Sequence, residues 1–171
     1  ACRFADIVIL DTNAHIEYFC REFKLSRNKF RRVFIGADDD VFFPKESSSP
    51  DKFNVLFFGS FIPLHGIEYI IETAKILENN KDIHFVIIGT GQEEERIQRI
   101  AFEQKIKNVE LINRFISERD LAKYIAKSNV CLGIFGKTQK ADMVIPCKVY
   151  DCIAMKKPVI TARTTAISEL L

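Results

Sequence analysis

The stretch NVLFFGSFIPLHGIEYIIETAKI, residues 54–76, sets the pattern for the whole chain. Asn54–Phe58 is a short apolar run that ends at a glycine, and Ile67–Leu77 follows as an amphipathic helix. The alternation continues downstream. Ile83–Ile88 (IHFVII) ends at Gly89 and precedes a charged helix over Glu93–Gln104. Val109–Ile112 reads as a strand, and Ser117-Glu-Arg-Asp resembles a helix start with Asp120 in the place of a capping-box acid. Val130–Ile134 is a strand, Cys147–Met155 a helix, Val159–Thr161 a strand, and Ile167–Leu171 begins a last helix. Strands alternating with helices of about ten residues predict βαβ units and a parallel α/β sheet.

Upstream of this region the pattern is looser. Phe4–Leu10 (FADIVIL) reads as a strand buried on both faces, and Asn13 as the cap of a helix in which Ile16, Phe19, Cys20 and Phe23 recur at helical spacing. Arg32–Ile35 is another short strand, and Gly36–Asp40 a turn. KESSSPDK, residues 45–52, is the one stretch of linker composition, and it divides residues 1–44 from 53–171.

The bulk numbers agree with a soluble globular chain. Of 171 residues, 47% are hydrophobic and 28% charged. A net charge of +2 gives no argument for nucleic-acid binding. No apolar run approaches the roughly 18 residues of a membrane span. Five cysteines without a CxxC pair read as reduced core residues of a cytoplasmic protein. The missing initiator Met and the barely begun terminal helix point to a piece of something longer.

In open parallel sheets ligands bind beyond the carboxyl ends of the strands, which directs attention to four segments. Gly59–Gly66 runs from a strand into a helix start, where backbone amides and the helix dipole suit a phosphate; Ser60 and His65 can add hydrogen bonds. A plain connecting loop is the alternative. Gly89-Thr-Gly91 is an incomplete dinucleotide fingerprint, because Glu94 takes the third glycine's place and Asn113 stands where a ribose acid belongs; a tight turn serving the fold is the better account. Phe135–Asp142 carries Gly136, Lys137 and Lys140 at a strand end, and these lysines are either solvated or face an anion. In IPCKVYD, residues 145–151, Pro146 takes a first helical position, and Lys148 and Asp151 share a helix face. They form either a simple surface pair or a lysine for phosphate beside a carboxylate for ribose hydroxyls.

Taken in order, these segments resemble the donor-binding half of GT-B-fold glycosyltransferases of family 4, the group 1 glycosyltransferases. Phe57-Phe-Gly59 through His65-Gly66 is similar to the family's GR…KG segment, Ile87–Gly91 to its GxG, and Asn113–Ile116 to a later loop. Tyr150–Val159 resembles the ending fEAmA-GkPV, and Phe34–Asp38 with Phe43-Pro44 resembles the crossing between the two domains. The resemblance implies a Rossmann-like parallel sheet with helices on both faces. Residues 1–44 would close an acceptor-binding domain, and 53–171 would be a donor-binding domain lacking its end. It also implies a retaining, metal-independent hexosyltransferase of polysaccharide biosynthesis, with a nucleotide-diphosphate sugar as donor and no other cofactor. The implied setting is cytoplasmic with the parent peripheral to a membrane, and the acceptor a glycan or lipid-linked glycan held by a domain missing here.

By resemblance, the donor phosphates fall to Gly59, Ser60, His65, Gly66, Lys148, Lys137 and Lys140, the ribose to Asp151, and the base to backbone near Arg114, Phe115 and Ile116. The sequence departs from the pattern at three places. Ser60 and His65 replace the family's Arg and Lys, and Met143 replaces the first Glu of E-x7-E, whose second is Asp151. A GT-B-like sugar-nucleotide epimerase and a non-catalytic nucleotide-binding module are the rival readings.

Overall fold

A computed structural model describes residues 2–46 and 51–171. Five strands form one parallel sheet: β3 (Phe53–Phe58), β4 (Ile83–Ile88), β5 (Val109–Ile112), β6 (Val130–Leu132) and β7 (Val159–Ile160), in the order β5-β4-β3-β6-β7. β1 (Val8–Leu10) and β2 (Phe30–Arg32) form a separate parallel pair. The helices are α1 (Asn13–Phe23), α2 (Ile67–Ile76), α3 (Glu94–Glu103), α4 (Glu118–Lys127), α5 (Gln139–Met143) and α6 (Cys147–Ala154).

Strand periodicity sends alternate residues to opposite faces. Val55, Phe57, Phe85, Ile87, Val130 and Leu132 pack under Ile67, Ile70, Ile71 and Ala74 of α2 and Ile97 of α3. Leu56, Phe58, Val86, Ile88 and Cys131 meet Ala122, Ile125 and Ala126 of α4 and Cys152 of α6 on the other side. Both faces are therefore covered, as the continuous apolar runs require. The chain moves outward from β3 to β5 and returns to lay β6 against the opposite edge of β3. The loops after β3 and β6 thus part in opposite directions and leave a crevice at the carboxyl edge.

The N-terminal segment is not free of this body. Ala14, Phe34 and Ala37 pack with Ile145, Val149, Tyr150 and Ile167, while Phe42 and Val41 join the α4–α6 side. Glu169 accepts from the Asn13 and Ala14 amides at 2.9 Å each and pairs with Arg32 at 3.1 Å.

Several boundaries differ from expectation. Thr12, not Asn13, caps α1, its hydroxyl accepting from the His15 amide at 3.1 Å. The first strand shrinks from Phe4–Leu10 to three residues, and the second shifts from Arg32–Ile35 to Phe30–Arg32, because each strand pairs only over the register Val8–Leu10 against Phe30–Arg32. β6 and β7 end sooner than read, at Leu132 and Ile160, and Ile167–Glu169 forms a single 3-10 turn. The loop read at 135–142 contains helix α5, capped by the Thr138 hydroxyl on Ala141. Pro146 precedes α6 instead of opening it. Ser117 does cap α4, bonding the Asp120 amide at 3.2 Å and its carboxylate at 2.7 Å. Of the cysteines, Cys131 and Cys152 are buried and Cys147 is exposed, all of them unbridged. Residues 47–50 of the linker lie outside the described residues; Lys45 donates to the Val41 carbonyl at 3.1 Å.

Gly89 shows why the GxG segment serves the fold. A Cβ built there would meet the Gly59 carbonyl oxygen at 1.9 Å, and its φ of 152° is one that side chains rarely adopt. Phe61 donates to the Thr90 carbonyl at 2.7 Å and accepts from Glu93 at 3.0 Å, so the two loops are laced together. Gly89→Ala is expected to lower unfolding free energy by more than about 2 kcal/mol, read from a shifted urea midpoint at unchanged slope.

Candidate functional site

The crevice holds two adjoining cavities that share Phe58, Gly59 and Ser60. The larger, about 720 Å³, is bounded by Gly59, Ser60, Leu64 and His65 after β3, by Lys140 and residues 144–148 with Asp151, and by Asp11, His15 and Ile35 from the N-terminal segment. The smaller, about 180 Å³, lies between Gly59, Gly89, Thr90, Arg114, Phe115 and Ile116. The larger volume falls within the range of small-molecule sites.

Lys148 is the unusual group. It is 7% exposed, and its ammonium nitrogen has no hydrogen-bond partner among the described residues. It stands 3.9 Å from the Phe57 ring centroid and 5.8 Å from that of Phe58, so π faces receive it. A Cβ at Gly59 would come within 2.8 Å of the nitrogen; the bare glycine makes the room it occupies. Burial pushes its pKa down from 10.5 to about 7. No ion pair joins it to Asp151 among the described residues, so the surface-pair reading does not hold.

Asp151 is half-buried on the same helix. Burial, followed by the nearby Glu118 carboxylate, raises its pKa to about 6, so it is ionised above that pH. His65 is buried, and its Nδ1 bonds the Ser60 carbonyl oxygen at 2.5 Å. Burial first and the Lys148 charge second lower its pKa to about 4, with the Ser60 bond opposing them. His65 is therefore a neutral imidazole near pH 7. With Nδ1–H donated to the carbonyl, it fixes the loop and supplies no positive charge.

The other sequence-derived residues divide. Gly59, Ser60, His65, Lys140, Lys148 and Asp151 come together around the larger cavity, and Arg114, Phe115 and Ile116 around the smaller. Lys137 instead lies with its nitrogen 5.4 Å from the Tyr69 ring centroid, away from both cavities. Gly66, with φ of 61°, packs against the Gly136 backbone, where a Cβ would meet the amide nitrogen at 2.7 Å. It starts α2 and does not face the crevice. Sequence reasoning missed Asp11 and His15. Asp11 follows the carboxyl end of β1, a three-residue strand outside the regular alternation of strands and helices.

Comparison with known proteins agrees with this geometry. The family model "Glycosyl transferases group 1" matches residues 52–171, and the chain belongs to that family. An uncharacterised glycosyltransferase of Methanocaldococcus jannaschii is 26% identical over 116 residues, 68% of this chain and 30% of that protein. Among solved structures, HepE of Anabaena in complex with UDP and glucose superposes with a TM-score of 0.82 at 15% identity, over 100% of this chain and 48% of HepE. WaaG, a glycosyltransferase involved in lipopolysaccharide biosynthesis, gives 0.75 at 14% identity over 94% of this chain and 45% of its own. The fold is thus the Rossmann-like α/β arrangement of GT-B glycosyltransferases, and the chain spans less than half the length of these relatives. Among the described residues no helix is long and apolar enough to cross a membrane.

The buried ammonium has a measurable consequence. Between about pH 7 and 10.5 the unfolded chain holds a proton at Lys148 that the folded chain has released, so this group's unfavourable contribution fades as pH rises through that window. Lys148→Met is expected to raise the thermal midpoint at pH 7, with the gain over wild type shrinking by pH 10. A constant difference across that range would show that the amine is not desolvated.

Proposed function

We propose that this chain is the donor-binding half of a retaining, metal-independent glycosyltransferase that moves a hexosyl group from a nucleotide-diphosphate sugar to an acceptor hydroxyl. In this reading residues 1–44 close the acceptor-binding domain, 45–52 link the two, and 53–171 hold the donor. The observation that carries it is the buried ammonium of Lys148 beside Gly59, without a hydrogen-bond partner among the described residues, in a crevice that already has room for a small molecule. A buried charge with no counterion costs several kcal/mol, and an anionic ligand is the simplest partner for it. The complexes of HepE with UDP and glucose and with UDP-glucose make a nucleotide sugar the natural choice.

The residues then take these roles. The base occupies the smaller cavity against the backbone of Arg114–Ile116. Asp151, as a carboxylate, accepts from the two ribose hydroxyls. The diphosphate crosses Gly59 and Ser60, where Lys148 and Lys140 supply positive charge. When the bond from the anomeric carbon to the diphosphate oxygen breaks, its electron pair stays on the diphosphate. Preorganised donors at that place stabilise the developing charge. His65 holds the Ser60 carbonyl, keeping that oxygen away from the diphosphate. The acceptor, a glycan or lipid-linked glycan, enters from the domain outside this chain, so the chain alone binds donor without turnover. Polysaccharide assembly at the cytoplasmic membrane surface is the setting that fits.

Calorimetry against UDP, GDP and ADP checks the assignment. One diphosphate should bind, Lys148→Ala should weaken it about tenfold or more, and Lys137→Ala should leave it unchanged. Binding that depends on Lys137 and not on Lys148 would place the phosphates elsewhere. For Asp151, the 2′-deoxy diphosphate should bind wild type less well than the ribose form, while Asp151→Asn should no longer distinguish them.

A further inference from the structure

Asp11 and His15 are the polar side chains that the N-terminal wall turns into the larger cavity, and the roles above leave both unused. Asp11 follows β1 and His15 lies one turn on in α1, with Nδ1 3.4 Å from the Asp11 carboxylate; their side chains are 15% and 24% exposed. Ile9, Leu10, Val33 and Ile35 make the rest of that wall apolar. The wall is fixed to the donor side rather than loosely apposed. Thr12 is fully buried and donates from its hydroxyl to the Met143 carbonyl, and Glu169 bonds the first amides of α1. That first bond places Asp11 one residue from the backbone of position 143, where the family resemblance expects a carboxylate and the sequence has methionine.

The two sides of the cavity differ in chemistry. Lys148 and Lys140 stand on the donor side and suit a diphosphate; a carboxylate, an imidazole and branched aliphatic side chains stand opposite. A second anion would be repelled by Asp11. A neutral ring with several hydroxyls and apolar C–H faces fits it, since carboxylates accept from sugar hydroxyls and aliphatic side chains cover the ring's faces. We propose that Asp11 and His15 form the subsite for the sugar ring of the donor, and that Asp11 supplies from the N-terminal segment the carboxylate absent at Met143. This rests on the donor-site reading above.

The test separates the sugar from the diphosphate. UDP-glucose, UDP-galactose and GDP-mannose are titrated into the chain, each beside its own bare diphosphate, and the tightest sugar nucleotide becomes the probe. Asp11→Asn should weaken that probe about tenfold or more and change the bare diphosphate less than about twofold, with the thermal midpoint confirming the fold. Should Asp11→Asn fail to fold, His15→Gln carries the same comparison. Equal losses on both ligands, or no loss on the sugar nucleotide, overturn the assignment. A wild-type chain that binds diphosphate and no sugar nucleotide overturns it alone; one that binds neither takes the donor-site reading down with it.

Discussion

β3 lies between β4 and β6, and almost everything at the site follows from that placement. A strand hydrogen-bonded on both edges and buried on both faces is open only at its ends, and in parallel sheets of this kind ligands bind beyond the carboxyl one. Gly59 occupies that end. Its amide bonds the Ile88 carbonyl at 3.0 Å, its lack of a side chain admits the Lys148 nitrogen and the His65 ring, and the lack of one at Gly89 admits the Gly59 carbonyl. The three loops that meet there are laced by backbone bonds, including Phe135 to the His65 carbonyl at 3.0 Å. The crevice is therefore part of the folded framework and does not rely on flexible side chains to shape it.

Within that framework the charge distribution is uncompensated. Lys148 is held among aromatic rings, Asp151 is held above its usual pKa, and His65 is kept neutral. Each arrangement disfavours a charged form, and titratable groups perturbed together in a cleft are a mark of function. A purely structural lysine would extend to solvent or to a carboxylate. The same helix packs Val149 and Cys152 into the core, which fixes its rotation and leaves Lys148 no such route.

Much of the framework was legible in the residues. The apolar runs ending at Gly59 and Gly89 mark β3 and β4 within a residue, because each is six residues long, and Val109–Ile112, with a β-branched residue at each end, marks β5. The short elements were not legible in the same way. β1 and β2 are three residues each, and their limits come from mutual pairing rather than from composition. α5 spans five residues inside what looked like a lysine-rich loop, and its Thr138 cap gives only a weak local signal. For the candidate site, position in the pattern pointed to Gly59, Lys148 and Asp151, which the structure brings to one cavity. Lys137 and Lys140 lie in the same lysine-bearing segment, but Lys140 falls within α5 on the cavity wall while Lys137 precedes the Thr138 cap and lies over Tyr69.

Sequence alone determined the class of fold, the edge at which a ligand would bind and the residue types available there, since these depend on local periodicity and on strand order. Tertiary structure decided what state those residues are in. Whether Lys148 is a solvated cation or a buried amine, whether His65 carries charge, and whether Asp11 reaches the same cavity as Asp151 are matters of desolvation and of contacts between residues distant in the chain. Thr12 bonding Met143 is the plainest case. Nothing near either residue in the chain encodes that contact; it exists because α1 packs on α5 once the sheet is formed.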